Sequence, residues 1–170
     1  MQHKFSLAFA AAFAMLPMGS AIAQVGESGY SLPLALALKA SNAAMASCER
    51  QGYAVSAAVV DTSGVVRLEI KGDHSTIHTT ATAYRKAYTV VTFGPIFRFD
   101  VSSAFAALAA KNPALATGPD VAALPGAAAI KVGDDIVAAL GVSGSPGGDK
   151  DEACAQAGVA SIKDDLANSR

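Results

Sequence analysis

Two short apolar runs, each joined by a tight turn to a second one, limit what this chain can fold into more than any other feature. Ala54–Val60 (AVSAAVV) leads through Asp61-Thr62-Ser63-Gly64 into Val65–Ile70, which alternates apolar and polar residues. Much later, Ala127–Val132 and Ile136–Val142 flank Gly133-Asp134. Valine-rich runs broken by glycine and aspartate mark antiparallel hairpins, so two hairpins are predicted.

The rest of the chain carries a helical period. Ser31 and Pro33 supply a helix start, and Leu34, Leu38, Ser41, Met45 and Cys48 recur at steps of four and three before Gly52. After the first hairpin comes a Lys71-Gly72-Asp73 loop and then a helix bearing His78, Thr82, Arg85, Thr89 and Thr92 in one stripe. Gly94-Pro95 is expected to end it. An alanine-rich helix runs from Asp100 to Lys111, and residues 114–126 read as a loop able to cover a pocket. A glycine-rich loop precedes a last helix on which Cys154, Gly158, Ile162 and Leu166 share a face, with Asp149 and Glu152 placed as a capping box. The order predicts an α+β fold: one antiparallel β-sheet built from two hairpins, with helices packed on it in two or three layers.

Residues 1–23 have the form of a secretory signal peptide: Lys4, an apolar run from Phe5 to Leu16, a Pro17/Gly19 break and Ala21-Ile22-Ala23. That run is about a dozen residues, against the roughly 20 needed to span a bilayer, so no stable membrane insertion is expected. A flexible leader over 24–30 and a single domain over 31–170 follow, in a periplasmic or secreted protein. The net charge of −1 and the absence of tryptophan argue against a nucleic-acid partner. Two cysteines in an exported chain suggest a bridge, Cys48 to Cys154, if the first and last helices share a sheet face. Two small buried thiols are the alternative.

No catalytic constellation is evident. The loop Gly141–Gly148 has Ser145 where G-x-S-x-G requires glycine, and Lys150 sits among Asp149, Asp151 and Glu152, which would repel a phosphate. His74 and His78 are four apart, which on a regular helix would set both on one face within reach of a metal or an iron porphyrin, but His74 is expected in the loop ahead of the helix. No third His or Cys completes a zinc set. The plain alternative is one histidine at a helix start and one in solvent. Arg85 and Lys86 offer cations for ligand carboxylates, although a surface helix would carry them anyway. Tyr84 and Tyr88 form an aromatic pair suited to a core, an interface or a pocket wall. Glu69, Asp73, Asp149, Asp151 and Glu152 match no calcium or two-carboxylate hydrolase spacing and are expected on the solvated surface.

Three segments in combination, VVDTSGVVRLEIKGD, AYRKAYTVVTF and IVAALGVSGSPGGDKDEACAQAG, resemble the HbpS-like family of haem-binding and haem-degrading proteins, also called GlcG-like. The resemblance implies helices on an antiparallel sheet, a homo-oligomer, and haem or iron as cofactor in exported members. It implies a haem contact at Thr89, with Arg85 one turn earlier to meet a propionate. His74, His78 and Thr89 are the candidate iron donors, His74 standing where the family's Asp-Gly-Ala carries glycine. The family's Gly-Gly-x-Pro reads Gly126-Ala127-Ala128-Ala129 here. On an ideal helix His78 and Thr89 lie about 16 Å apart, so they are two alternative sites rather than one. The expected function is exported haem binding that assists haem degradation or iron sequestration. The alternative is a non-enzymatic, homo-oligomeric small-organic-acid-binding or assembly module, and the residues leave enzymatic activity open.

Overall fold

A computed structural model of the chain describes residues 29–168. The predicted signal peptide and residues 24–28 of the leader lie outside the described residues. The elements are α1 (Leu34–Glu49), β1 (Ser56–Asp61), β2 (Val66–Lys71), α2 (Thr79–Phe97), α3 (Ser102–Lys111), a 3-10 turn (Pro113–Thr117), β3 (Ala127–Val132), β4 (Asp135–Ser143), α4 (Gly148–Ala160) and α5 (Lys163–Asn168).

Both predicted hairpins form. They lie side by side in one antiparallel sheet of order β2-β1-β4-β3, joined through the inner pair β1 and β4, where Val59 faces Leu140. Inner strands are covered on both faces, which explains why β1 and β4 read as unbroken apolar runs while the edge strand β2 alternates. One face packs Ala57, Val59, Leu140 and Val142 with Ala37, Cys48, Cys154 and Ile162 of α1, α4 and the turn after α4. The opposite face packs Val60 and Ala139 with Ala87, Val90 and Phe105 of α2 and α3. The sheet is therefore the middle of three layers. No helix among the described residues is long and apolar enough to cross a membrane.

Small residues set how closely the layers approach. A Cβ on Gly141 of β4 would run into the Ala83 carbonyl of α2. A Cβ on Gly158 of α4 would come 2.5 Å from the Ala40 carbonyl and 2.8 Å from the Ala44 Cβ of α1. One turn from Gly158, Cys154 is disulfide-bonded to Cys48 with a Cα–Cα distance of 5.7 Å, which resolves the cysteine alternatives in favour of the bridge.

Several sequence expectations are corrected. The buried stripe of α1 is Ala37, Ala40, Ser41, Ala44 and Cys48, whereas Leu34 and Leu38 are 54% and 39% exposed. The reason is the short α1–α4 distance, which admits alanine and glycine and excludes leucine. The helix α2 runs through Pro95 to Phe97. Proline's missing N–H falls in its last turn, which closes with Phe99 N donating to the Gly94 carbonyl at 3.2 Å and with Arg98 left-handed at φ 56°. The last helical segment is interrupted near Ser161, yet Cys154, Gly158, Ile162 and Leu166 are all buried as its periodicity predicts. The capping box does not form: α4 begins after Gly147 without a side-chain cap.

Candidate functional site

His74 sits on a turn after β2, not on a helix. Ser75 N and Ser75 Oγ both donate to the Gly72 carbonyl, at 3.2 and 2.7 Å, so residues 72–75 close on themselves. Lys71 Nζ donates to Ser75 O at 2.6 Å, Ser75 Oγ at 2.9 Å and Thr76 O at 2.9 Å. Ser56 Oγ lies 3.1 Å from Ser75 Oγ and 2.7 Å from Thr79 Oγ1, which ties the turn to β1 and to the start of α2. Within this frame His74 is held at φ 63°, a left-handed conformation that suits glycine and strains a residue with a Cβ. The imidazole lines a cleft of about 570 Å³ between α1 and the β2–α2 turn, together with Met45, Glu49, Tyr53 and Asp73. Lys150 stacks over the Tyr53 ring with its Nζ 5.2 Å from the centroid, so one wall of the cleft carries a nearby cation.

The other expected residues lie elsewhere. His78 is exposed and immediately precedes α2, its Nδ1 3.3 Å from Thr76 Oγ1. His74 lies in the loop ahead of α2, where the sequence reading places it, so the two histidines do not share a helix face. Among the described residues no group of three or more His, Cys, Asp or Glu side chains is placed to hold a metal ion. Thr89 is fully buried: its hydroxyl donates to Arg85 O at 2.8 Å and accepts from Ala122 N at 2.9 Å. Arg85 Nη2 donates to Val121 O at 2.8 Å. Both residues of the stripe thus fasten the segment 121–122 onto α2. Nearby, burial raises the Tyr84 phenol above its ordinary pKa of 10.0, with the Asp120 carboxylate and Tyr88 adding to the effect.

A buried polar network escaped the sequence reading. Lys86 Nζ and Asp151 Oδ2 are 2.7 Å apart with side chains 3% and 4% exposed, and Lys86 also donates to Val142 O at 3.1 Å. Asp151 Oδ1 accepts from Ser145 N at 3.0 Å and Ser145 Oγ at 2.6 Å. Glu152 Oε2 accepts from Ser103 N at 2.8 Å and Ser102 Oγ at 3.3 Å. The expectation of solvated carboxylates fails for these two because α4 turns them inward, Glu152 to the first residues of α3 and Asp151 to Ser145 in the loop after β4. Glu152 is spent there, which is why it does not cap its own helix. Gly126, at φ 132°, leaves room for the ammonium: a Cβ there would stand 2.5 Å from Lys86 Nζ. Only the Lys86-Ala87-Tyr88-Thr89 and Asp151-Glu152 motif segments hinted at this network. Every member is partnered, so it reads as a rigid internal brace.

The strained His74 thus lies at an open cleft of a three-layered α+β domain. The chain belongs to the HbpS-like family, whose model, described as "Haem degrading protein HbpS-like", matches residues 32–160. A crystal structure of a double mutant of Streptomyces reticuli HbpS is 33% identical, with a TM-score of 0.73 over 86% of this chain and 97% of that one. A second HbpS structure is 32% identical, with a TM-score of 0.72 over 89% and 97%. The structure of a PduOC–haem complex shares the fold at 17% identity, with a TM-score of 0.69 over 79% and 96%. No curated protein matches the chain.

Proposed function

We propose that this is an exported, homo-oligomeric haem-binding protein that holds the tetrapyrrole for breakdown or iron sequestration, with His74 as the iron donor. The observation that carries the reading is the backbone of His74 held at φ 63° on a hydrogen-bonded turn that lines the cleft. Strain maintained by the surroundings is a pointer to function, and a haem iron asks for only one or two protein ligands. The residues present fit the group. Tyr53 and Met45 offer a wall for a macrocycle, while Glu49 and Asp73 turn propionates away toward solvent and Lys150. Haem, when bound, supplies the redox iron; the protein's own part is to donate one ring nitrogen and to orient the ring. A family named for haem degradation, the haem complex of PduOC, the predicted signal peptide and the disulfide support the rest.

The second reading places haem on α2 against Arg85 and Thr89, and it requires the segment 121–122 to leave first. Hemin titration followed by the Soret band separates the two. His74→Ala is expected to weaken binding by about tenfold or more, whereas His78→Ala and Thr89→Val change it by less than about threefold. No Soret shift with the wild-type protein rejects haem binding. Binding unchanged by His74→Ala but lost with Thr89→Val moves the site to α2. Loss of the band under ascorbate and oxygen distinguishes breakdown from sequestration.

A further inference from the structure

The acidic groups that line the cleft beside His74 have no counter-ions. Glu49, the last residue of α1, and Asp73 both line it, both are exposed, and among the described residues neither forms an ion pair. One stands on the helix and the other on the turn that carries His74. The helix α1 adds to this field, because its carboxyl end, which carries partial negative charge, reaches the cleft and no basic residue lies in its last turn. Three cations belong to the neighbouring segments, but none of them lines the cleft. Lys71 Nζ is held by the Ser75 and Thr76 carbonyls, Lys150 Nζ lies over the Tyr53 ring, and Arg50 follows the helix end.

We propose that Glu49 and Asp73 make the cleft selective for the oxidation state of the iron, so that ferric haem is held more tightly than ferrous haem or another porphyrin with an uncharged metal core. This deepens the proposed haem binding and rests on it.

The reason is Coulombic. A porphyrin ring gives two negative charges to its metal, so an iron(III) core carries one net positive charge whereas an iron(II) or zinc(II) core carries none. The propionates are common to all three, and their repulsion by Glu49 and Asp73 cancels when the porphyrins are compared. What remains is the attraction of two carboxylates for one positive core, held at the residue that follows Asp73 in the chain. Water and salt screen this attraction in an exposed cleft, and a flat macrocycle laid against the walls removes part of that water. The same charges act on reduction, which adds one electron and no atoms and cancels the core charge that the carboxylates attract. They therefore lower the midpoint potential of the bound iron. The cleft fills under oxidising conditions and loosens its hold when a one-electron donor reduces the iron.

The test compares hemin with zinc(II) protoporphyrin, which has the same propionates, accepts a histidine and keeps an uncharged core. Both are titrated by absorbance into the mature protein and into Glu49→Gln, Asp73→Asn and the double variant, with circular dichroism as the check on each fold. Each single exchange is expected to lower hemin affinity relative to the zinc porphyrin by about threefold and the double exchange by about tenfold, with the effect shrinking as salt is raised. Titration of bound hemin with dithionite, which supplies the electron, is expected to give a higher midpoint potential in the double variant than in the wild type. An affinity ratio that stays within about twofold in the double variant, or moves the other way, while the wild-type protein binds hemin through His74, overturns the selection and leaves the haem reading standing. A midpoint potential unchanged by the double exchange overturns it as well. A wild-type chain that does not bind hemin, or binds it unaffected by His74→Ala, overturns both the selection and the reading on which it rests.

Discussion

His74 sets binding against stability at one backbone position. Its φ of 63° costs on the order of 1 kcal/mol for a residue with a Cβ, and glycine removes that cost. His74→Gly is therefore expected to raise the melting temperature by about 2 to 5 °C while it weakens hemin binding by about tenfold or more, as His74→Ala does. A melting temperature that falls would mean that the imidazole packs to stabilise the turn. The Lys86–Asp151 pair makes a contrasting case. Removing one partner strands a charge in the core, so Asp151→Ala is expected to cost about 3 to 5 kcal/mol in chemical denaturation. Replacing both, as Lys86→Met with Asp151→Ala, is expected to recover a large part of that loss. Neither residue was legible in the sequence as buried, because a lysine beside an arginine, and an aspartate in an Asp-Lys-Asp-Glu run, have the pattern of a solvated helix face. The strain at His74 was equally hidden: Asp73-His74-Ser75 marks a departure from the family's glycine, but φ is set by the hydrogen bonds to Gly72.

At the scale of elements, the two hairpins were legible because their turns carry Asp, Gly and Ser at the right places and their strands are rich in valine. The buried face of α1 was not. Leucines at steps of four and three outrank alanines on any hydrophobicity count, and only the approach of α4 at Gly158 shows that small residues are required inside. The same logic makes Gly141 the contact point between β4 and α2. Gly141→Ala must push α2 off the sheet at the Ala83 carbonyl, and a loss of about 2 to 4 kcal/mol is expected in urea unfolding. A loss below 1 kcal/mol would show that α2 shifts without strain. Pro95 was read as the end of α2 because proline lacks the N–H that continues a helix, yet the final turn tolerates it once Arg98 takes the left-handed cap. For the candidate site, the sequence supplied the residues but not their grouping: Arg85 and Thr89 turn out to hold the segment 121–122, while His74 opens onto a cleft whose other walls come from α1.

For the molecule as a whole, the disulfide joins two helices on one face of the sheet across a separation of 106 residues. In the chain-entropy view a closed loop of that size stabilises the fold by roughly 4 to 5 kcal/mol, so reduction is expected to lower the unfolding free energy by about that amount. Unfolding with and without a reductant measures it, and equal stability in the two states would show that the bridge only follows the packing of Gly158 against α1. The bridge also decides where mechanical load travels. All four strands, α2 and α3 lie inside the covalent loop between Cys48 and Cys154, so tension on the two ends passes from α1 to α4 through sulfur and bypasses the sheet. An oxidised chain pulled from its termini surrenders only the short stretches outside the bridge, whereas a reduced one pays out roughly 350 to 380 Å more.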